Sequence, residues 1–169
     1  MKRKSLLKHY FFVAFIFLAT SVTVNAQISV TATTGTTGPT AYSTLKGAFD
    51  AINAGTHTGV ITISVTGNST ETASAVLNAS GNGSASYTSI TISPSGGAAR
   101  TISGAITAGS PMVDLNGADN VLIDGLNTGG NSLTISNTTV SSTSGTSTIR
   151  FQTDATNNTI TRCTVLGSA

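Results

Sequence analysis

The stretch Val113-Asp114-Leu115-Asn116-Gly117-Ala118-Asp119-Asn120-Val121-Leu122-Ile123-Asp124-Gly125-Leu126 returns, loosened, later in the chain. The second copy reads Ile149-Arg150-Phe151-Gln152-Thr153-Asp154-Ala155-Thr156-Asn157-Asn158-Thr159-Ile160-Thr161-Arg162-Cys163. Each copy has a short run with alternate apolar residues, a small polar corner, an Asn and a second alternating run. Alternation marks a strand with one face inside. A unit that recurs in this way, in a chain rich in Ser, Thr, Gly and Asn, marks the rungs of a β-solenoid. In the alignment Val113 and Leu115 match Ile149 and Phe151, and Ile123 matches Ile160. Asn120 matches Asn157 as a corner residue, and Leu126 matches Cys163, which places that thiol inside. The copies need one extra residue in the second, and the interval between them leaves room for a third strand at residues 133–136.

Outward from this repeat, strands are expected over residues 27–33, 60–65, 72–77, 87–92, 100–103, 105–107, 112–115, 120–124, 132–136, 148–152 and 158–164. Ile28 and Val30 share one face of the first, and Ile61, Ile63 and Val65 one face of the second. Gly, Asn, Ser and Pro clusters separate them. Residues 34–40 read as a Gly/Thr/Pro loop, and residues 138–145 as a loop thrown out of the coil. Asn-Gly and Asp-Gly turns, which hairpins favour, are scarce. Parallel stacking of rungs, about 4.8 Å apart, is therefore preferred to the alternative, a β-sandwich.

One helix is expected, from Ser43 to about Asn53. Ser43 or Thr44 serves as N-cap. Leu45, Ala48, Phe49 and Ile52 form one apolar stripe at i, i+3, i+4 and i+7, and Gly55 ends the helix in a left-handed conformation. Such a helix, standing before a run of strands, covers the open first coil of a solenoid.

Residues 1–26 read as a secretory signal peptide. Lys2, Arg3, Lys4 and Lys8 make a basic start, residues 10–19 a short apolar run, and Val24-Asn25-Ala26 a small-residue cleavage site that leaves Gln27 first. The apolar run is shorter than the roughly 20 residues that span a bilayer, and no transmembrane segment is expected in the mature chain. The expected location is outside the cell or at its surface.

The chain carries a net charge of +2, but half of its basic residues lie in that leader. What remains is Lys46, Arg100, Arg150 and Arg162 against Asp50, Glu71, Asp114, Asp119, Asp124 and Asp154, an acidic balance with no basic patch for phosphates. Nucleic acid is not an expected partner. Roughly a third of the mature residues are Ser or Thr, a composition compatible with disorder, yet the Val, Ile and Leu residues recur periodically.

The cap helix Tyr42-Ser43-Thr44-Leu45-Lys46-Gly47-Ala48-Phe49-Asp50-Ala51-Ile52, the strand over residues 60–65 and the coil Asn120-Val121-Leu122-Ile123-Asp124-Gly125-Leu126 together resemble the N-terminal part of right-handed parallel β-helix proteins of the pectin-lyase-like superfamily. The composition resembles that of large secreted or surface proteins exported by the type IX secretion system. The resemblance covers residues 41–169, which it makes a cap helix and initial β-helix coils, preceded by a first strand and Gly/Thr loop at residues 27–40. Lyases and esterases of that superfamily carry acidic clusters with Arg or Lys, and no such cluster is visible here. No C-terminal sorting domain or cap follows the last strand, so the coils are expected to be incomplete, with loose structure near the C-terminus.

The sequence nominates no catalytic, cofactor-binding or metal-ligating residue, and no cofactor. Asp114 and Asp124 are expected to point outward from strands and Asp119 to sit in a corner, all solvated, because a Ca²⁺ site needs 6–8 oxygen ligands. His57, between two Thr residues in a Gly-rich turn, is expected to be solvent-exposed. Arg150 and Arg162 are expected to face outward on neighbouring coils. Five Asn-x-Ser/Thr matches, at Asn68, Asn78, Asn82, Asn137 and Asn157, follow from composition. Repeated Thr faces can bind ice, but these Thr residues are expected to keep no regular rung-to-rung spacing. The expected role is a structural or adhesive β-helix contacting extracellular polysaccharide or surface matrix. The alternative is the N-terminal segment of a polysaccharide lyase or glycosidase whose catalytic coils lie beyond residue 169.

Overall fold

A computed structural model describes residues 26–167. The expected signal peptide therefore lies, except for Ala26, outside the described residues. Thirteen strands and one helix follow in the order β1 (Ile28–Gly35), β2 (Thr40–Tyr42), α1 (Leu45–Asn53), β3 (His57–Val65), β4 (Ser69–Thr70), β5 (Ala75–Asn78), β6 (Tyr87–Pro94), β7 (Ala99–Gly104), β8 (Pro111–Asn116), β9 (Val121–Asp124), β10 (Ser132–Asn137), β11 (Ser147–Gln152), β12 (Thr159–Thr161) and β13 (Cys163–Leu166).

From β3 to β10 each strand pairs, in parallel, with the strand three later in the chain. Strands β3, β6, β9 and β12 form the first sheet, β4, β7, β10 and β13 the second, and β5, β8 and β11 the third. The chain is thus a β-solenoid of about three turns. A sandwich would pair neighbouring strands antiparallel; among the described strands only β1 does so, with β2 and β3, at the N-terminal edge of the first sheet.

Inward residues stack in columns along the axis. Ile63, Ile92, Ile123 and Ile160 form one, with Val30 on the antiparallel side. Leu77, Leu115 and Phe151 form another, and Ile102, Ile135 and Val165 a third. The matches of Val113 with Ile149, Leu115 with Phe151 and Ile123 with Ile160 hold as strand register. Asn120 and Asn157 both sit at corners with φ of 59° and 55°, the left-handed region that Asn tolerates.

The match of Leu126 with Cys163 does not hold. Cys163 pairs with Leu133, because the third coil inserts a loop after Asp124 while the fourth turns at once. Arg162, at φ 54°, makes that sharp corner and splits the expected strand over residues 158–164 into β12 and β13. Beneath it Gly125 has no alternative: a Cβ there would overlap the Arg162 carbonyl oxygen. The thiol nevertheless faces the core, half-buried.

Two other expectations shift. The strand at residues 72–77 moves to β5, leaving the two-residue β4 to form the second sheet. Residues 105–107 form no strand. Ile106 is buried there, its N–H donating to Thr139 Oγ1 (2.7 Å) and its carbonyl accepting from the same hydroxyl (3.0 Å). A side chain one coil away replaces the strand partner.

Helix α1 closes the N-terminal end. Thr44 is the N-cap, accepting from Gly47 N (3.0 Å), and Leu45, Ala48, Phe49 and Ile52 are buried. Gly55 takes φ 74°. Asn53 covers the free edge of β5: its Nδ2 donates to the Val76 carbonyl (2.8 Å) and its Oδ1 accepts from Asn78 N (3.0 Å). One amide side chain thus supplies the donor and acceptor of a missing strand. Glu71, fully buried, accepts from Leu45 N (2.8 Å), Lys46 N (3.1 Å) and Ser69 Oγ (2.8 Å). Its carboxylate answers the orphan N–H groups and positive end of the helix. Gly104 lies against it, where a Cβ would overlap the Glu71 carbonyl oxygen.

Candidate functional site

The tripeptide Thr-Ile-Ser occurs four times, at Thr62–Ser64, Thr91–Ser93, Thr101–Ser103 and Thr134–Ser136. Each lies in a strand, with the Ile buried and the two hydroxyl residues on the outer face, as period two requires. The pairing aligns them. On the first sheet Thr31, Thr62 and Thr91 form one column and Ser29, Ser64 and Ser93 the next. On the second, Thr101, Thr134 and Thr164 form one column and Thr70, Ser103 and Ser136 the other. The expectation that the Thr residues keep no rung spacing is thereby corrected. Loops of unequal length hide in the linear chain a spacing of about 4.8 Å that the register creates. Leu122, opposite Thr91 and Thr159, interrupts the first-sheet column.

The third sheet carries a different surface. Asp114 accepts from Arg150 Nε (3.2 Å) and Nη2 (2.7 Å) and from Gln152 Nε2 (2.9 Å). Beside it Asn116 Nδ2 donates to Asn78 Oδ1 (3.2 Å), and Asn116 Oδ1 accepts from Gln152 Nε2 (3.3 Å) and Thr153 Oγ1 (2.8 Å). The same Asp-under-Arg arrangement recurs where Asp124 accepts from Arg162 through Nε (2.8 Å) and Nη2, and from Leu126 N (2.8 Å).

Asp114 and Asp124 are therefore not solvated, contrary to expectation: both are buried, each under an Arg one coil later. Two charges that share hydrogen bonds can leave water together. The Arg162 guanidinium, chiefly by hydrogen bonding, holds the Asp124 carboxyl below the usual carboxylate range. Arg150 and Arg162 do reach outward, half-exposed, each raised by its carboxylate. Asp119 stays at its corner and accepts from Thr156 N (2.6 Å) and Oγ1 (2.8 Å), contacts that lower its pKa. The three aspartates thus meet three different partners. Among the described residues no three His, Cys, Asp or Glu side chains converge, no cleft opens, and no helix is long and apolar enough to cross a membrane.

His57 is fully buried, not exposed. It opens β3 opposite Gly35, so the β1–β3 pairing folds over it. Its Nδ1 meets the Thr36 carbonyl (2.5 Å) and its Nε2 the Tyr42 hydroxyl (2.7 Å). A carbonyl only accepts, so Nδ1 carries a proton. The ring ties the start of β3 to the β1–β2 hairpin. Burial raises both the Tyr42 hydroxyl and the Cys163 thiol, which keeps the thiol from being a ready nucleophile.

The first two sheets offer other molecules four hydroxyl columns, interrupted by Leu122 on the first sheet and ended by Leu166 on the second. No family model, no curated protein and no solved structure matches the chain.

Proposed function

We propose that this chain is a structural, adhesive β-solenoid of the cell exterior, contacting neutral extracellular polysaccharide or surface matrix through the hydroxyl columns of its first two sheets. The observation that carries this reading is the register of the four Thr-Ile-Ser copies. A hydroxyl array without charge is complementary to a neutral polyhydroxyl polymer. Such a ligand exchanges hydrogen bonds with water at little net gain per contact, so affinity comes from repetition. The Asp–Arg pairs hold adjacent coils together, Asp114 with Arg150 on the third sheet and Asp124 with Arg162 at the end of β9, each charge answered by its partner. Secretion is part of the proposal, supported by the leader-like residues 1–26. So are kinship with pectin-lyase-like β-helices and type IX export, supported by the cap-helix pattern standing before a parallel solenoid.

The test is retention of residues 27–169 on insoluble neutral polysaccharides, in low and high salt. Retention on a neutral polymer that salt does not release, and that Thr101→Lys with Thr134→Lys abolishes, is the expected result. Failure to bind any neutral polymer, or binding that salt removes, sinks the reading.

A further inference from the structure

We infer that Asn82 is a site of spontaneous covalent modification, where the Gly83 backbone nitrogen displaces the side-chain amide, and that the fold holds the same dipeptide at Asn116-Gly117 inert. Asn-Gly occurs only at these two places in the chain. Glycine sets up the reaction because it has no Cβ to keep its nitrogen from the preceding side chain. The Gly83 nitrogen gives its proton to base and bonds to Asn82 Cγ. The Cγ–Nδ2 bond breaks and ammonia leaves with a proton, closing a succinimide ring. Water then opens the ring at either carbonyl, leaving aspartate or isoaspartate. Water is the only co-reactant.

The two copies sit in opposite surroundings. Asn82 is exposed, in the turn between β5 and β6. Its main chain is clasped: Asn82 N donates to the Ala79 carbonyl (3.0 Å), Ala85 N to the Asn82 carbonyl (3.2 Å) and Gly81 N to the Ala85 carbonyl (2.8 Å). Its reacting atoms are not. Among the described residues no hydrogen bond ends on the Asn82 carboxamide or the Gly83 N–H. Gly83, at φ 60°, has open space where a Cβ would stand. Asn116 instead ends β8, between β5 and β11. Its Nδ2 donates to Asn78 Oδ1, and its Oδ1 accepts from Gln152 Nε2 and Thr153 Oγ1. The attacking atom is engaged as well, because Gly117 N donates to the Gln152 carbonyl (2.9 Å). These bonds must break together before Asn116 can react, which requires local opening of the coil.

Either product adds a negative charge to residues 27–169, already acidic in balance. Isoaspartate also carries the main chain through the side-chain carbon, lengthening the turn that leads to buried Ala85. Ser84, in that turn, sets its carbonyl against Gly55 just past α1, 2.7 Å from where a Cβ would stand. The modification therefore loosens a contact of the N-terminal cap.

The protein is held at mildly alkaline pH in water enriched in heavy oxygen, folded and in guanidinium, then digested and read by mass spectrometry. In the folded protein Asn82 is expected to take up label at least about tenfold faster than Asn116, which reacts only through opening. In guanidinium the two rates are expected to converge. Isoaspartate among the Asn82 products is the signature of the ring, since direct hydrolysis by water gives aspartate alone. Equal rates in the folded protein, a faster Asn116, an Asn82 that reacts only when unfolded, a gap that survives unfolding, or aspartate alone at Asn82 would each overturn the inference. So would a native product whose Asn82 Nδ2 carries a glycan.

Discussion

Phe49 at the N-terminal end and Phe151 at the C-terminal end are both large apolar side chains next to the last layer of the same core. Phe49 is fully buried and Phe151 about half-exposed. The difference is in what lies beyond them. Past the first coil stand a helix, an amide that imitates a strand and a carboxylate that caps the helix. Past the last coil among the described residues stands nothing. In a stacked architecture each rung contacts only its neighbours, so an inward residue contributes in proportion to the layers on both sides of it.

The largest effect expected from this contrast is in paired truncations. Phe49→Ala should lower stability by about 3–5 kcal/mol, the range for a fully buried aromatic. Phe151→Ala should cost about 1 kcal/mol or less, since much of its surface already meets water. Equal losses in denaturant unfolding would break the comparison.

Next is Glu71→Gln, which keeps the shape of the cap and removes its charge. Two helix N–H groups and a Ser hydroxyl then meet a weaker acceptor, and one face of the amide is a donor with no acceptor opposite. A loss of about 1–3 kcal/mol is expected, with helix α1 exchanging its amides faster while β11–β13 stay unchanged.

The smallest effect is acid fraying of the open end. Asp119 and Asp124 have lowered folded pKa values. Their contribution is complete above the ordinary carboxylate value near 4, and is lost as pH falls through the lowered folded values. Protection against amide exchange in β12 and β13 should therefore fall at acid pH before that in β3 and β6. Arg162→Gln should remove the part carried by Asp124. An acid response spread evenly along the solenoid would count against the assignment.

Much of the architecture could be read from residues alone. The stripe Leu45, Ala48, Phe49 and Ile52 has helical period, and the inward Ile residues have strand period, because both answer to local geometry. Corners at Asn120 and Asn157 were legible because few residues accept left-handed backbone. Burial of polar groups was not legible. Asp114 and Asp124 look like solvated strand residues until the register sets Arg150 and Arg162 above them. His57 looks like a loop residue until Thr36 and Tyr42 close over it. Cys163 slipped to a different partner because one inserted loop changes the path of a coil without changing its apolar pattern. The hydroxyl columns had a visible signal in the repeated Thr-Ile-Ser, but its alignment depends on loop lengths that fold out of the way.

The carboxylate of Glu71 and the amide of Asn53 also set a direction in time. They close contacts spanning 23 to 26 residues with α1 and β5, whereas strand pairs in the coils join positions a full turn apart. The shorter loops close at lower entropic cost, and they lie in the part of the chain synthesised first. The cap can thus form while later residues are still being added. Each new turn then has a formed edge to pair with, an order that pulse-labelled exchange during refolding would show as protection of α1 and β3 before β12 and β13.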